Sequence, residues 1–425
     1  MNPHKPDSRA RRSLLFRRRD FGLLWLGETT SVTGSAMTSV VLPLIAVTVL
    51  DAGTFVIALV EAAIWLPWLV VGLPAGALID RLRSRGVMVW CDVVGALTIV
   101  LLVVSMALDA LTVGQLLAAA LVSGVRAVFF EPAHYKYLPL LVEDDELPAA
   151  NSLVHGSESA SVVAGPALAG VVVGAFGALA ALLADAVTFL VSALCLLGIR
   201  TREPRPERTA GPGGIGGEIA EGVRFTVRDR YLRVVALTGG LLNFTLAGMG
   251  ALQVVFLVRT NGVPAALAGV VVGLAGLGGV VGAVVATFIA RRLGSARAVV
   301  AIIGTGVVCG LLVPLTGPGP ALGWFVVGTL GQVATVVAAN VLMAGFTQRY
   351  CPRELLARVM VVSRVVAYAT APLGAVAAGA LGSALGVRGA MWVLALSAAS
   401  AVAVQVLGGL ARTRDLPATY DPSRT

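Results

Sequence analysis

Charge is what this chain has least of. Asp, Glu, Lys and Arg make up 13% of its 425 residues, where a water-soluble domain carries about 25%. Lysine is nearly missing. Lys5 and Lys136 are the only two, and neither sits in a G-x-x-x-x-G-K-[ST] loop, which excludes a nucleotide-driven motor of that type. Histidine is limited to His4, His134 and His155, with no H-E-x-x-H and no clustered metal-ligand spacing. The four cysteines (Cys91, Cys195, Cys309, Cys351) are scattered without a C-x-x-C and read as small core residues. No catalytic residue, metal or cofactor is expected.

What fills the chain is hydrocarbon. Hydrophobic residues make up 57%, and the mean hydropathy is +0.89. A water-soluble fold could not hide this much apolar surface, so the expected solvent is a bilayer. A hydrocarbon core about 30 Å thick takes roughly 20 apolar residues as helix. Twelve such runs are present: 21–49, 55–79, 87–108, 113–138, 151–175, 178–199, 231–258, 264–290, 296–315, 321–346, 357–384 and 389–411. The short alternating segments of a membrane barrel are absent. The first run is too long for a signal core and no small-residue cleavage site follows, so it is expected to remain as the first span.

The formal net charge is +9, and its distribution argues against nucleic acid. Arg9, Arg11, Arg12, Arg17, Arg18 and Arg19 crowd the first tail. Arg81, Arg83 and Arg85 follow run 2, Arg200 to Arg230 follow run 6, Arg291, Arg292 and Arg297 follow run 8, and Arg349 and Arg353 follow run 10. The opposite loops hold only Arg259 and Arg388. This positive-inside asymmetry predicts a multi-pass protein of the cell (cytoplasmic) membrane with both termini and the 201–230 loop in the cytoplasm. That loop, "TREPRPERTAGPGGIGGEIAEGVRFTVRDR", begins as a Pro/Gly connector. Its second half fits a short amphipathic helix with Ile219, Val223 and Phe225 toward the membrane. The expected organisation is a basic tail (1–20), a six-helix bundle (21–200), the linker (201–230), a second six-helix bundle (231–411) and a tail (412–425).

The two halves echo one another. "IDRLRSR" after run 2 is answered by "ARRLGSAR" after run 8, "DELPAANS" by "RELLARVM", and "GPALAG" by "APLGAV", each roughly 210 residues later. Internal repeats of this kind belong to secondary transporters, whose substrate site lies near the midplane between the halves. Over essentially its whole length the chain resembles the major facilitator superfamily. The loop at 76–86, "GALIDRLRSRG", matches that superfamily's G-x-L-x-D-R-x-G-R-[RK] signature at Gly76, Leu78, Asp80, Arg81 and Arg85; Arg83 and Ser84 depart from it. "RRRDFGLLWLGETTSVTGSAMTSVVLPLIA", "EPAHYKYLPLLVEDDELPAANSL", "GPALAG" and "RELLARVMVVSRVVAYATAPLGA" look like the efflux branch that includes macrolide and enterobactin exporters. The resemblance implies two pseudo-symmetric six-helix bundles working by alternating access.

An ionisable group at the bilayer centre costs on the order of 2.5–3.5 kcal/mol even on lenient scales. The first half nevertheless places Glu28, Glu61, Asp92, Glu131, Glu158 and Asp185 in or near its runs. The second half has no carboxylate within any run, and Glu354 stands at the mouth of run 11. A proton site is therefore expected in the first half. Glu28 shares a helical face with Ser31, Ser35 and Thr38, directed toward a cavity. Glu61 stands isolated between small residues, where burial disfavours its charged form and suits a proton acceptor. Glu158 shares a face with Asn151 and His155. Arg126, mid-span in run 4, must find an acid among Glu28, Glu131 and Asp92, and a pair of that kind can exchange its partner for a proton. These four, Glu28, Glu61, Arg126 and Glu158, are the coupling candidates.

Asp92 and Asp185 read as structural, with Asp92 bridged to the Arg81–Arg85 cluster. The resemblance implies that Glu131 faces the 76–86 loop and pairs with Arg81 or Arg85, and Asp80 is expected to latch run 2 to the start of run 11, so that Gly76, Asp80, Arg81, Arg85 and Glu131 form a cytoplasmic gate. Gly165, Pro166 and Gly170 fit a hinge or a tight helix contact. Ser31, Ser35, Asn243, Gln253, Gln332, Arg364 and Tyr368 are cavity candidates. Trp65 and Trp68, near Glu61, fit an apolar helix or lipid contact better than a ligand wall. With the direction implied by the resemblance alone, the expected function is proton-coupled export of an amphipathic small molecule such as a drug, antibiotic, siderophore or secondary metabolite, by a monomer. Import or facilitated passage, and a receptor or scaffold role, are the alternatives.

Overall fold

A backbone N–H or C=O left unpaired in hydrocarbon costs several kcal/mol, so each apolar run must close its hydrogen bonds within itself. The computed structural model describes residues 14, 15, 17–72, 75, 78, 79, 81–203 and 214–417, and in these the runs are helices with no strand among them. The first four spans are α1 (Arg19–Thr48), α2 (Thr54–Val70), α3 (Ser84–Ala107) and α4 (Val113–Tyr137). The helix Leu147–Gly198 turns at Gly177 (φ 83°, ψ 170°) and so supplies two spans, α5 (147–176) and α6 (178–198). Past a linker helix (Gly214–Arg228) come α7 (Arg230–Val255), α8 (Ala265–Leu293), α9 (Ser295–Leu312) and α10 (Gly323–Tyr350). The helix Arg353–Ser397 turns at Gly386 (φ 74°, ψ 159°) into α11 (353–385) and α12, which runs on through Ala399–Leu407. Among the described residues this makes twelve spans. Both turns use a φ that a side chain resists and glycine accepts.

Local chemistry closes the helix ends. Thr112 and Gln115 form a reciprocal capping box at the start of α4. Asp229 caps α7 through the Leu232 amide at 2.8 Å, and its other oxygen accepts from the Tyr350 hydroxyl at 2.7 Å. Arg17 and Arg18 grip Glu146, and Arg18 also grips Glu143, pinning the entry of α1 to the α4–α5 connection. The Arg18 hydrogen bond holds the Glu143 carboxyl below the ordinary glutamate range.

Within each half the pattern repeats: α1 packs along α5–α6, and α7 packs along α11–α12. The halves meet along two seams, α2 against α11 and α5 against α8. The first seam includes an alanine cluster of Ala58, Ala62, Ala251 and Ala375. At the second, a Cβ placed on Gly269 would sit 2.6 Å from the Pro166 carbonyl oxygen and 2.7 Å from the Gly170 amide. Backbones come this close only where side chains are absent. Large apolar side chains such as Trp90, Leu97, Leu101 and Leu194 stand exposed on α3 and α6, a surface suited to lipid rather than water. The linker helix departs from expectation. Val223 is exposed, but Phe225 packs onto the protein beside Leu232, Phe346 and Tyr350, and Glu221 pairs with Arg358 at the foot of α11. The side chain of Ile219 lies outside the described residues.

Candidate functional site

Among the described residues, three polar groupings interrupt the apolar packing. The first lies at the end of the bundle remote from the termini. A π-helical turn, Phe256–Thr260, follows α7 and carries Arg259. Its guanidinium donates to the carbonyl of Val47 (3.0 Å) in the last turn of α1 and to the Ala52 carbonyl (2.6 Å) and Asp51 Oδ1 (2.7 Å) on the α1–α2 connection. Asp51 is 95% exposed, so the ion pair itself contributes little; the geometry of a three-acceptor clamp is what joins the halves. Val254 and Val255 of α7 share one apolar core with Val41, Ile45 and Ile57 beneath it. Arg388 bonds Asn261 Oδ1 (3.0 Å) and the Thr316 carbonyl (2.8 Å) nearby.

The second grouping crosses between the halves toward the termini end. Arg364 of α11 donates to Glu131 of α4 at 2.5 Å and lies 5.8 Å from the Tyr368 ring. Tyr368 meets Trp65 and Trp68 of α2, with ring centroids 5.5 and 4.8 Å apart. Trp65 Nε1 donates to Glu61 Oε1 at 2.9 Å. A continuous line of acid, indole, phenol, guanidinium and acid thus runs from α2 through α11 to α4. Arg364 is half exposed, as are His155 and Glu158, which lie 3.3 Å apart. This end is wet, while the opposite end is sealed by apolar packing under Arg259.

The third grouping is buried within the first half. Arg126 extends toward Ser35 Oγ (2.9 Å), Asp92 Oδ1 (3.8 Å) and the Phe189 ring (4.4 Å). Asp185 Oδ2 accepts from Thr38 at 2.5 Å and Oδ1 from Thr188 at 3.2 Å. Glu28 Oε2 lies 2.8 Å from His134 Nε2. Gly34 and Gly95 leave the room that Asp185 and Arg126 occupy, since a Cβ on either would run into those side chains.

Several expected contacts are different in the structure. Glu131 pairs with Arg364, not with Arg81 or Arg85. Arg85 instead donates to the Leu196 and Leu197 carbonyls at the end of α6 (2.8 and 2.7 Å), where a cation complements the helix dipole. Glu203 returns to cap the Ser84 and Arg85 amides at 2.8 and 3.3 Å. Arg81 is exposed, and Gly76 and Asp80 lie outside the described residues. Asp92 faces Arg126 rather than the Arg81–Arg85 cluster. Ser31, Ser35 and Thr38 face this buried grouping, not a cavity between the halves, because Arg126 and Asp185 draw that stripe of α1 inward.

Gln332 is also turned inward, donating to Met249 Sδ at 3.2 Å within the second half. Asn243 bonds the Gly239 carbonyl of its own helix (3.0 Å), and Gln253 is half-buried on α7. Gly165 packs against Thr33 and Ala36 of α1, and Gly170 against α8. The helix runs through Pro166 and breaks only at Gly177.

The whole chain from residue 14 to 423 matches the family described as transmembrane secretion effector. The chain belongs to that family, within the major facilitator superfamily. It is 27% identical over 397 residues to the multidrug efflux pump Tap of Mycolicibacterium fortuitum, covering 88% of this chain and 92% of that one. Macrolide efflux protein A of Streptococcus pyogenes is 22% identical over 233 residues, 55% of this chain and 57% of the relative. A bacterial homologue of the iron transporter ferroportin superposes in its inward-facing state with a TM-score of 0.75 at 18% identity, over 92% of this chain and 98% of that one. The outward-facing state of the same homologue gives 0.60. A family member is thus a transporter rather than an enzyme. In this member the sequence reading missed His134, Asp185 and Arg259 as partners. Arg259 had a signal: it is one of two arginines on the side that positive-inside bias leaves nearly free of them.

Proposed function

We propose that this chain is a proton-coupled exporter of amphipathic small molecules, acting as a monomer in the cell membrane with both termini and the 201–230 linker in the cytoplasm. The units 21–200 and 231–411 rock against one another about a central site, with tails 1–20 and 412–425 outside the moving bodies. The carrying observation is the line Glu61–Trp65–Tyr368–Arg364–Glu131. It joins α2, α11 and α4 across the two halves and combines aromatic faces with carboxylates at a wet, termini-facing end. Such a surface suits an apolar molecule with a cationic group. The efflux activity named for the relatives supports export, and the better superposition on an inward-facing neighbour supports reading the Arg259 end as the closed, outer one. Glu28, Glu61, Arg126 and Glu158 remain the acids and base through which proton movement is proposed.

The test is reconstitution in liposomes with an imposed pH gradient, using a fluorescent lipophilic cation and a macrolide as probes. Gradient-driven extrusion that a protonophore abolishes is expected. Extrusion indifferent to the gradient would remove the coupling, and no flux of either probe would remove the exporter reading.

A further inference from the structure

The buried grouping of the first half contains more acid than base. Glu28, Asp92 and Asp185 face Arg126 and His134, and all five are largely withdrawn from solvent: Asp92 is 0% exposed, Asp185 1% and His134 3%, with Arg126 at 11% and Glu28 at 16%. Two of the three carboxylates have a partner within 3.2 Å. Glu28 lies against His134, an ion pair when the imidazole is protonated. Asp185 Oδ2 accepts from the Thr38 hydroxyl, and Oδ1 shares the Thr188 hydroxyl with the Asp185 carbonyl (3.2 and 2.7 Å), an arrangement that suits an ionised, acceptor-only carboxylate.

Asp92 differs. Neither of its oxygens has a donor in good hydrogen-bond geometry, although the Ser31 and Ser192 hydroxyls face it. Arg126 Nη1 stands 3.8 Å away, beyond hydrogen-bond reach, while its Nη2 donates to Ser35. The groups facing Asp92 are Glu28 and Ser31 from α1, Arg126 from α4 and Ser192 from α6, with Cys91 beside it on α3. Ser192 is itself buried, and its hydroxyl oxygen has no partner. An ionised carboxylate whose neighbours are poorly aligned to donate is disfavoured in a protein interior.

We infer that Asp92 carries the exchangeable proton, while Asp185 stays ionised as the standing counter-charge of Arg126. This rests on the coupling reading above. A proton on Asp92 turns its carboxyl into a donor for the orphaned Ser192 hydroxyl. It also leaves the grouping neutral, as Glu28 with His134, Asp185 with Arg126, and Asp92 uncharged. When the proton leaves, Asp92 competes for the guanidinium and draws it from Ser35. Ser35 is on α1, so proton occupancy on α3 acts on the position of a helix that reaches the Arg259 clamp. Glu28 and His134 lie between Asp92 and Glu131 at the wet end, the direction from which the proton exchanges.

Two measurements on the full-length protein test this. In lipid nanodiscs, infrared spectra across a pH titration are expected to contain the C=O stretch of a protonated carboxylic acid that Asp92→Asn removes and Asp185→Asn leaves in place. In liposomes, Asp92→Asn is expected to reduce gradient-driven extrusion to the level of protein-free vesicles while probe exchange down its own gradient persists, and Asp92→Glu is expected to restore coupling. A band unchanged in Asp92→Asn, or gradient-driven extrusion surviving in it, overturns the assignment. If wild-type protein moves neither probe, the exporter reading fails while the infrared result still decides the protonation of Asp92.

Discussion

Glu131 and Arg364 are 233 residues apart in the chain and 2.5 Å apart in space. One stands on α4 and the other on α11, so the contact exists only while these two helices, one from each half, stay within reach of each other. Glu131 is 30% and Arg364 51% exposed, which limits the pair to about 1 kcal/mol or less.

That ceiling sets the first expectation. Glu131→Gln should shift the balance between the two end-states by no more than about fivefold, toward separation at this end. Glu131→Arg should shift it further, and adding Arg364→Glu should bring it back. Distances between spin labels on α4 and α11, read in all four proteins, check the restoration that a direct pair demands.

Arg259→Gln should act in the opposite sense. It removes the bonds to the Val47 and Ala52 carbonyls and to Asp51 and loosens the far end. A cysteine placed at Ala251, buried at the α2–α7–α11 cluster, should then react faster with a membrane-impermeant thiol reagent added from outside. Unchanged reactivity would show that the apolar core below Arg259 holds this end by itself.

Tyr368→Ala should weaken binding of aromatic probes, and Tyr368→Phe should not. The ring contacts to Trp65 and Trp68 need the aromatic face, each such pair contributing about 0.5–1.5 kcal/mol. Quenching of tryptophan fluorescence by the probe, compared in the two variants, separates the ring from the hydroxyl.

Gly269→Val should cost stability as well as transport. Even the first added carbon meets the Pro166 carbonyl and the Gly170 amide, and overpacking of this kind costs about 1–3 kcal/mol. A lower unfolding temperature in detergent, alongside lost efflux, is the expected outcome, with Gly279→Val as the control. A Cβ on Gly279 meets only Val337 Cγ2, at 3.8 Å.

The spans were legible because hydropathy and glycine act locally. The gap between runs 5 and 6 contains Gly177, the gap between runs 11 and 12 contains Gly386, and the chain turns at both. The acids were legible as anomalies for the same reason: charge in hydrocarbon is conspicuous wherever it stands. Their partners were not. The arginines nearest the expected level of Glu131 are Arg81 and Arg85, yet its partner, Arg364, comes from the other half. Asp92 was assigned to a cluster at the helix end, yet Arg126 bends toward it past Gly95. Pairing depends on helix rotation to within a fraction of a turn, and a stripe of small residues leaves that rotation undetermined.

The glycine seam between α5 and α8 has a mechanical side. Interlocked side chains would have to disengage before one half could move past the other, and each disengagement would add to the barrier. Where Pro166 and Gly170 meet Gly269, and Val163 and Ala167 meet Gly273, there is little but smooth backbone to slide over. The seam works as a bearing, with its friction kept low by omission, and the polar contacts at the two ends are left to decide where the motion stops.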